Sequence, residues 1–350
     1  MLDAGIGIDR GSLFEPDTRP LMTSQFIKSM SQIDQIFISH AHIDHIGFLP
    51  KLMSMTKHAQ VFMTEPTAML AQYQLLDNKF TTEDDSKEEE RLAIQYLLQQ
   101  VVKVGYLQTM DFGEYKVTFY QAGHIPGAMM VLFEYAGRKI LYIGDYSTDS
   151  TDLTGGCDML DGESLDVMIM CGLHAKHPDY RRSGDQVYST ARGILDCVSR
   201  GETVVCHLTQ LSKGIEFLNI LNSMNESHVP IYVDKDVMKT VQVMERLSIP
   251  ILTVDNHLCE SEMTSEPHAV ITNRGYQQHG AQHIQVDFAL HDDFAEMARS
   301  LKHYNPRLAV LVHCAASPVE GCLTIEQTLM MDGDSRTQFV FADDGEWYIL

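Results

Sequence analysis

Residues 36–48 read IFISHAHIDHIGF, and no other run constrains the fold as much. A β-branched apolar stretch breaks at Ser39, and His40, His42, Asp44 and His45 follow within six positions. A strand that feeds a sharp loop can aim alternate side chains at one point. Imidazole and carboxylate are donors that a borderline divalent ion accepts. A single histidine near a strand end is ordinarily a packed or solvated residue. Three histidines and an aspartate in H-x-H-x-D-H order point instead to a metal site at the open end of a sheet.

Three further segments follow the same pattern. VTFYQAGHIPG (117–127) is a strand, a small-residue turn and then His124. KILYIGDY (139–146) is a strand, a glycine and then Asp145, and RLAVLVHC (307–314) is an apolar strand ending at His313. Each sets a donor at the C-terminal end of a strand, where the sites of layered α/β folds collect. Together the four segments supply enough donors for two coordination spheres.

The rest of the chain alternates between strand and helix patterns. Strands are predicted at Asp34 to Ser39, Gln60 to Met63, Tyr115 to Gln121, Met129 to Tyr135 and Arg138 to Ile143. Others are predicted at Asp166 to Met170, Glu202 to Cys206, Pro230 to Val233, His268 to Thr272 and Arg307 to Val312. Helical periodicity covers Phe48 to Met55, Thr67 to Leu76, Ser86 to Gln100, Gln186 to Ser199, Gly214 to Asn222 and Asp292 to Leu301. Such alternation means an α/β protein. The charge-rich run Glu83 to Arg91 reads as the solvated start of a helix.

Composition narrows the function. Of 350 residues, 44% are hydrophobic, enough to bury a sizeable core, so disorder is not the default reading. The formal net charge of −22 argues against broad electrostatic binding of nucleic acid, although metal ions can supply positive charge locally. Seven cysteines, without a C-x-x-C pair, fit a reducing compartment better than a disulfide framework. The N-terminal MLDAGIGIDR lacks the basic and apolar regions of a signal peptide, and no apolar run nears the ~20 residues of a membrane span. The expectation is a soluble, cytoplasmic protein with no membrane partner.

These motifs resemble the metallo-β-lactamase superfamily. HAHIDHIG matches its signature, and LDAG (2–5), AGHIPGA (122–128) and IGDYS (143–147) match its other motifs in order. TEPTAML (64–70), GDYSTDSTDL (144–153), GYQQHGAQ (275–282), FALHDDFAEM and LVHC resemble the β-CASP branch, the RNA- and DNA-processing nucleases. The resemblance implies a four-layer αββα sandwich from residues 1–170 and 283–350, with an α/β β-CASP insert at 171–282. It assigns His40, His42 and His124 to one metal and Asp44, His45 and His313 to the other, with Asp145 bridging. It makes Asp3 a brace for the loop and His291 the acid that protonates the leaving oxygen. The implied cofactors are two divalent ions, zinc with manganese as the alternative. The implied activity is hydrolysis of RNA, or of another single-stranded nucleic acid, by a two-metal-activated hydroxide. The resemblance leaves homodimerisation open.

The match departs in three places. DVMIMCGLHAKH puts Cys171 where the family has the Glu or Asp that orients its acid histidine, and His174 where it has a Tyr. Cys171 is then expected to support the site as a small buried residue. The family's S-G-M-x-x-G-G stretch is missing between HAVITNRG and GYQQHG, and Asp3 stands almost at the start, where the family has earlier strands. Two rival readings follow: a catalytically weak metal-binding scaffold in a nucleic-acid-processing complex, and a hydrolase of another ester.

Overall fold

The computed structural model describes residues 1–9, 12–19, 29–56, 58–76, 86–151, 153–162, 164–179, 184–208, 211–249, 251, 265–273, 275–314, 322–331 and 337–342. Its strands are β1 (Gly7–Asp9), β2 (Ser12–Phe14), β3 (Gln35–Phe37), β4 (Gln60–Thr64), β5 (Val102–Val104), β6 (Thr109–Asp111), β7 (Tyr115–Gln121) and β8 (Met129–Tyr135). They continue with β9 (Arg138–Gly144), β10 (Val167–Cys171), β11 (Val204–His207), β12 (Ile231–Val233), β13 (Ala269–Thr272), β14 (Gln282–Gln285), β15 (Leu308–Val312) and β16 (Gln338–Phe341). The chain divides into two compact units. One comprises Met1–Asp149, Gly156–Arg181 and His291–Leu350, and the other Ser150–Gly155 and Arg182–Leu290. β10 and its following loop thus stay with the first unit.

The first unit is layered. A seven-stranded sheet runs β16-β15-β10-β9-β8-β7-β6, parallel from β16 to β9 and antiparallel from β9 to β6. A second, parallel sheet runs β3-β4-β5. Period-two alternation explains why the sheets stack. Phe37, Phe62 and Val104 point from the small sheet to meet Val117, Phe119, Met129, Val131 and Tyr142 of the large one. Phe37 and Phe62 stack at 5.0 Å, and Phe133 meets Phe37 edge-on at 5.5 Å. Ile36, Ile38, Val61 and Met63 point the other way, onto helices Leu49–Thr56, Glu65–Leu76 and Ser86–Gln99. Helices Phe294–Tyr304 and Ile325–Met331 lie in the crossovers leading to β15 and β16. Crossover helices cover a face of a parallel sheet, and the inner face is already filled, so they form the outer layer.

The second unit holds a parallel four-stranded sheet, β12-β13-β11-β14, and helices Gly184–Ser199, Lys213–Met224 and Lys235–Arg246. Its strands are apolar at the centre, as in β13, which is buried throughout. At its edge β14 reads QHIQ and is mostly exposed, so it carries no strand pattern. The FAL of FALHDDFAEM reads as the end of an apolar strand leading into His291, and that expectation needs correction. No strand leads directly into His291, because β14 ends at Gln285 and residues 286–290 are irregular. Val286 and Leu290 are buried there while Asp287 is exposed, too short a run for a ladder. Helix Ser86–Gln99 includes the end of the charge-rich run, and Glu83 to Asp85 lie outside the described residues.

Candidate metal centre

Four strands of the large sheet leave it at one edge. β7 and β9 are both antiparallel to β8 and so run the same way, and β10 and β15 are parallel to β9. Their ends carry His124, Asp145, Cys171 and His313. The HAHIDH loop reaches the same edge from the other sheet, because Met129, the first residue of β8, donates its N–H to the Ser39 carbonyl at 2.8 Å. His42 takes the N-cap position of the short helix Ile43–Ile46, which carries Asp44 and His45 in its single turn.

Backbone packing fixes this loop. A Cβ on Gly5 would lie 1.6 Å from the Asp44 carbonyl oxygen, so only glycine lets the LDAG segment cross there. Ala4 N–H donates to the His45 carbonyl at 2.8 Å. The buried hydroxyls of Thr64 and Thr67 donate to the Gly127 carbonyl at 2.7 and 3.0 Å and hold the loop bearing His124. Asp3 (φ 54°) and His313 (φ 55°) sit in the left-handed region without being glycine. Such backbone costs of order 1–3 kcal/mol and persists where surrounding contacts over-determine it.

Ten side chains named from the sequence meet here. His40 Nε2 and His124 Nε2 stand 3.1 and 3.2 Å from His42 Nδ1. Asp145 Oδ2 lies 3.8 Å from His40 Nε2, 3.9 Å from His124 Nε2 and 3.4 Å from His45 Nε2. Asp44 Oδ2 lies 3.9 Å from both His45 Nε2 and His313 Nε2. His291 Nε2 donates to Asp145 Oδ2 at 2.9 Å, and Cys171 Sγ lies 3.7 Å from His313 Nδ1. Asp3 binds none of the shared points. Its carboxylate accepts from Ser39 N–H (2.6 Å), Ser39 Oγ (2.7 Å), His45 Nδ1 (2.7 Å) and Tyr142 OH (2.5 Å). A carboxylate behind one ring nitrogen fixes the orientation of the other.

The donors fit a divalent metal. Two donors about 2.0–2.1 Å from a tetrahedral ion stand roughly 3.4 Å apart, within the observed spread. His42 Nδ1 has two ring nitrogens at contact distance and cannot satisfy both as a single donor or acceptor. His42 Nε2 and Asp145 Oδ1 are buried without a hydrogen-bond partner. Buried polar atoms left so are rare and need an explanation, which a bound cation provides. This His/Asp cluster supports divalent-metal binding.

Electrostatics separates the rings. Burial, reinforced by the neighbouring histidines, holds His40 well below the usual imidazole range, and burial pushes His42 down to about 4. Neutral imidazole is the form that ligates. For His45, burial also opposes charge, but Asp145 and Asp3 outweigh it and hold the ring well above its ordinary value. Asp145 pays a large burial penalty as an anion, yet His45 and His291 keep it well below the carboxylate range. Burial, then Asp145, pushes the Cys171 thiol up.

In the sequence Asp292 and Asp293 stand out only as caps for the following helix, and His174 only as a departure from the family pattern. Asp292 Oδ1 accepts from Thr148 N–H (2.7 Å) and Thr148 Oγ1 (3.1 Å), which ties the His291 loop to the loop after Asp145. Asp293 caps helix Phe294–Tyr304 in a capping box with Glu296, so capping is not the task of His291. Ser39 and Tyr142 become visible only as partners of Asp3. His174, aligned with the family's Tyr, is pushed down to about 4 by burial.

Several known proteins are similar to this chain. The chain is 28% identical over 222 residues to the probable RNase MJ4 of Methanocaldococcus jannaschii, covering 62% of this chain and 51% of that protein. It is 28% identical over 218 residues to the endoribonuclease ysh1 of Aspergillus fumigatus, covering 58% and 24%. It is 29% identical over 234 residues to cleavage and polyadenylation specificity factor subunit 3 of Dictyostelium discoideum, covering 63% and 29%. The matches thus span about half the length of these relatives or less. A crystal structure of a protein of unknown function from Enterococcus faecalis V583 shares the fold, with a TM-score of 0.59 at 10% identity over 90% of this chain and 80% of that one. Residues 8–171, which hold six of the seven candidate ligands, match the metallo-β-lactamase superfamily domain.

Proposed function

We propose that the protein is a divalent-metal-dependent phosphodiester hydrolase acting on RNA. The observation that carries this is Asp145, a buried carboxylate beside both donor groups and in contact with His291. His40, His42 and His124 would hold one ion, and Asp44, His45 and His313 the other, with Asp145 between them. Zinc suits this donor set best, and manganese is the alternative. Bound there, the ions would supply positive charge for the phosphoryl oxygens and make water acidic enough to attack at neutral pH.

The remaining steps belong to the chain. Asp145 holds His291 by accepting from its Nε2, so that nitrogen is the proton source nearest the donors. When protonated, this ring can donate to a departing alkoxide. Asp3 fixes the His45 ring, and Asp292 with Thr148 fixes the loop that carries His291. The compact unit Arg182–Leu290 would be the β-CASP counterpart, there to bind a polymer. The relatives named as RNases and endoribonucleases support RNA over other esters. No described helix is long and apolar enough to cross a membrane, and the described cysteines are free, which fits a cytoplasmic enzyme.

Labelled single-stranded RNA and DNA with different 5′ ends, incubated with and without chelator, test the reading. Chelator-sensitive cleavage of RNA is expected. Metal-loaded, folded protein that cleaves neither polymer would leave the scaffold reading, which Cys171 in place of the family acid favours.

A further inference from the structure

One donor near the metals is unused by either sphere. Cys171 ends β10, between the strands that deliver Asp145 and His313. Its sulfur lies 3.7 Å from His313 Nδ1, and that nitrogen lies 3.6 Å from Asp145 Oδ1. Donor atoms of Asp145, Cys171 and His291 all fall within 4.8 Å of one another. Asp145 is only 2% exposed, and its Oδ1 is a buried acceptor with no hydrogen-bond partner, so the point these groups face has an anionic donor to spare.

The spacing suits a metal–sulfur bond. Zinc binds thiolate sulfur at about 2.3 Å and imidazole nitrogen at about 2.0–2.1 Å, which sets sulfur and nitrogen roughly 3.6 Å apart in a tetrahedral sphere. The 3.7 Å between Cys171 Sγ and His313 Nδ1 is close to this, so Nδ1 is the nitrogen that His313 would offer here. The left-handed backbone of His313 fixes the ring at the strand end, between the two groups.

We infer that Cys171 supplies a thiolate to the ion shared by Asp145 and His313, so that the centre has a sulfur donor. On binding, the thiol proton leaves to solvent and the sulfur lone pair forms the bond to the metal. A soft donor favours zinc over manganese, which prefers carboxylate and water. The inference rests on the metal-centre reading, and the test separates the two.

The protein is stripped with chelator and reconstituted with Co²⁺, and its absorption spectrum is recorded. The parent should show visible ligand-field bands and a near-ultraviolet sulfur-to-cobalt charge-transfer band. Cys171→Ser and Cys171→Ala should keep the ligand-field bands and lose the charge-transfer band, while Cys314→Ala, one residue from His313, keeps both. Ligand-field bands without charge transfer in the parent would overturn the sulfur donor and leave the metal centre standing. Charge transfer retained in Cys171→Ser would overturn it by assigning the sulfur elsewhere. A parent that binds no cobalt would overturn the metal centre and the inference together. The parent spectrum decides the matter even where a variant folds poorly.

Discussion

Two buried aspartates, one in each compact unit, stand just beyond the C-terminal end of a parallel strand. Asp145 follows β9, and Asp234 follows β12. They are 2% and 3% exposed. Asp234 is fully committed: Oδ1 accepts from Asp236 N–H and Val237 N–H, and Oδ2 from Thr272 Oγ1 (2.6 Å) and Asn273 N–H (2.9 Å). Asp145 has one oxygen with no hydrogen-bond partner and the other crowded by imidazole nitrogens. The histidines differ in the same way. His207 and His283 stack and pair at 2.9 Å on an exposed face, and among the described residues no third His, Cys, Asp or Glu joins them. His40, His42 and His124 are buried and crowd one point. Position at a strand end therefore does not mark a site. Buried polar capacity left over where several donors converge does.

The largest effect should come from exchanging the two carboxylates' roles. Asp145→Asn removes the charge between the donor groups and should cost roughly 10³-fold or more in turnover, since metals supply several kcal/mol at 1.4 kcal/mol per decade. Elemental analysis should find metal lost. Asp234→Ala should leave metal content unchanged and cost about 2–4 kcal/mol of stability, from a lost cap and unpaired buried donors. Metal loss in Asp234→Ala, or full occupancy in Asp145→Asn, would break the comparison.

Next comes His291. His291→Ala should lower turnover by about 10²–10⁴-fold while metal content stays constant. Unchanged turnover per molecule would return His291 to a structural role, although Asp293 already occupies the cap.

A third, smaller effect sharpens the role of Asp3. Asp3→Ala unties Ser39, His45 and Tyr142 at once and should weaken metal affinity about 10–100-fold, the usual cost of losing an outer partner. Tyr142→Phe, which removes one of four bonds to Asp3, should cost less. Equal metal affinity in Asp3→Ala and the parent, by titration against a competing chelator, would refute it.

What the sequence disclosed follows the same division. β7 and β8 were legible to the residue, because VTFY is β-branched and aromatic, MMVLF is wholly apolar, and turns bound both. The three-residue strands β5 and β6, the polar edge strand β14 and helix Lys235–Arg246 were not read from it. The first three are too short or too polar to carry a period. The helix has an Asp234 cap and a buried Val237, Val241 and Met244 stripe, a signal that was there to be found. The donor set was legible because histidines at strand ends are chemically conspicuous. The Tyr142–Asp3 bond joins residues 139 apart, and the left-handed backbone at Asp3 and His313 follows from tertiary contacts that no local pattern encodes.

The smallest effect separates two histidines three residues apart in metal-free protein. His42 is held down to about 4 by burial, so between its unfolded value near 6.5 and about 4 the unfolded chain binds a proton that the folded one does not. Its contribution to stability is present above that window and is lost as pH falls through it. His45 is held above its ordinary value by Asp145 and Asp3, in spite of burial. Its contribution is full below the unfolded pKa and is lost as pH rises through the folded one. Asp3→Asn removes one of the two carboxylates that raise His45, whereas those that act on His42 are Asp44 and Asp145. The variant's stability, measured by thermal melting after chelation, should therefore fall below the parent's most at acidic pH, where His45 is charged in both states. Ring-proton NMR should show the His45 titration moving down while His42 stays neutral to about pH 4. Titration of both rings near 6.5 would mean that neither is buried among carboxylates as described, and the contrast between spare and spent polar groups would lose its electrostatic basis.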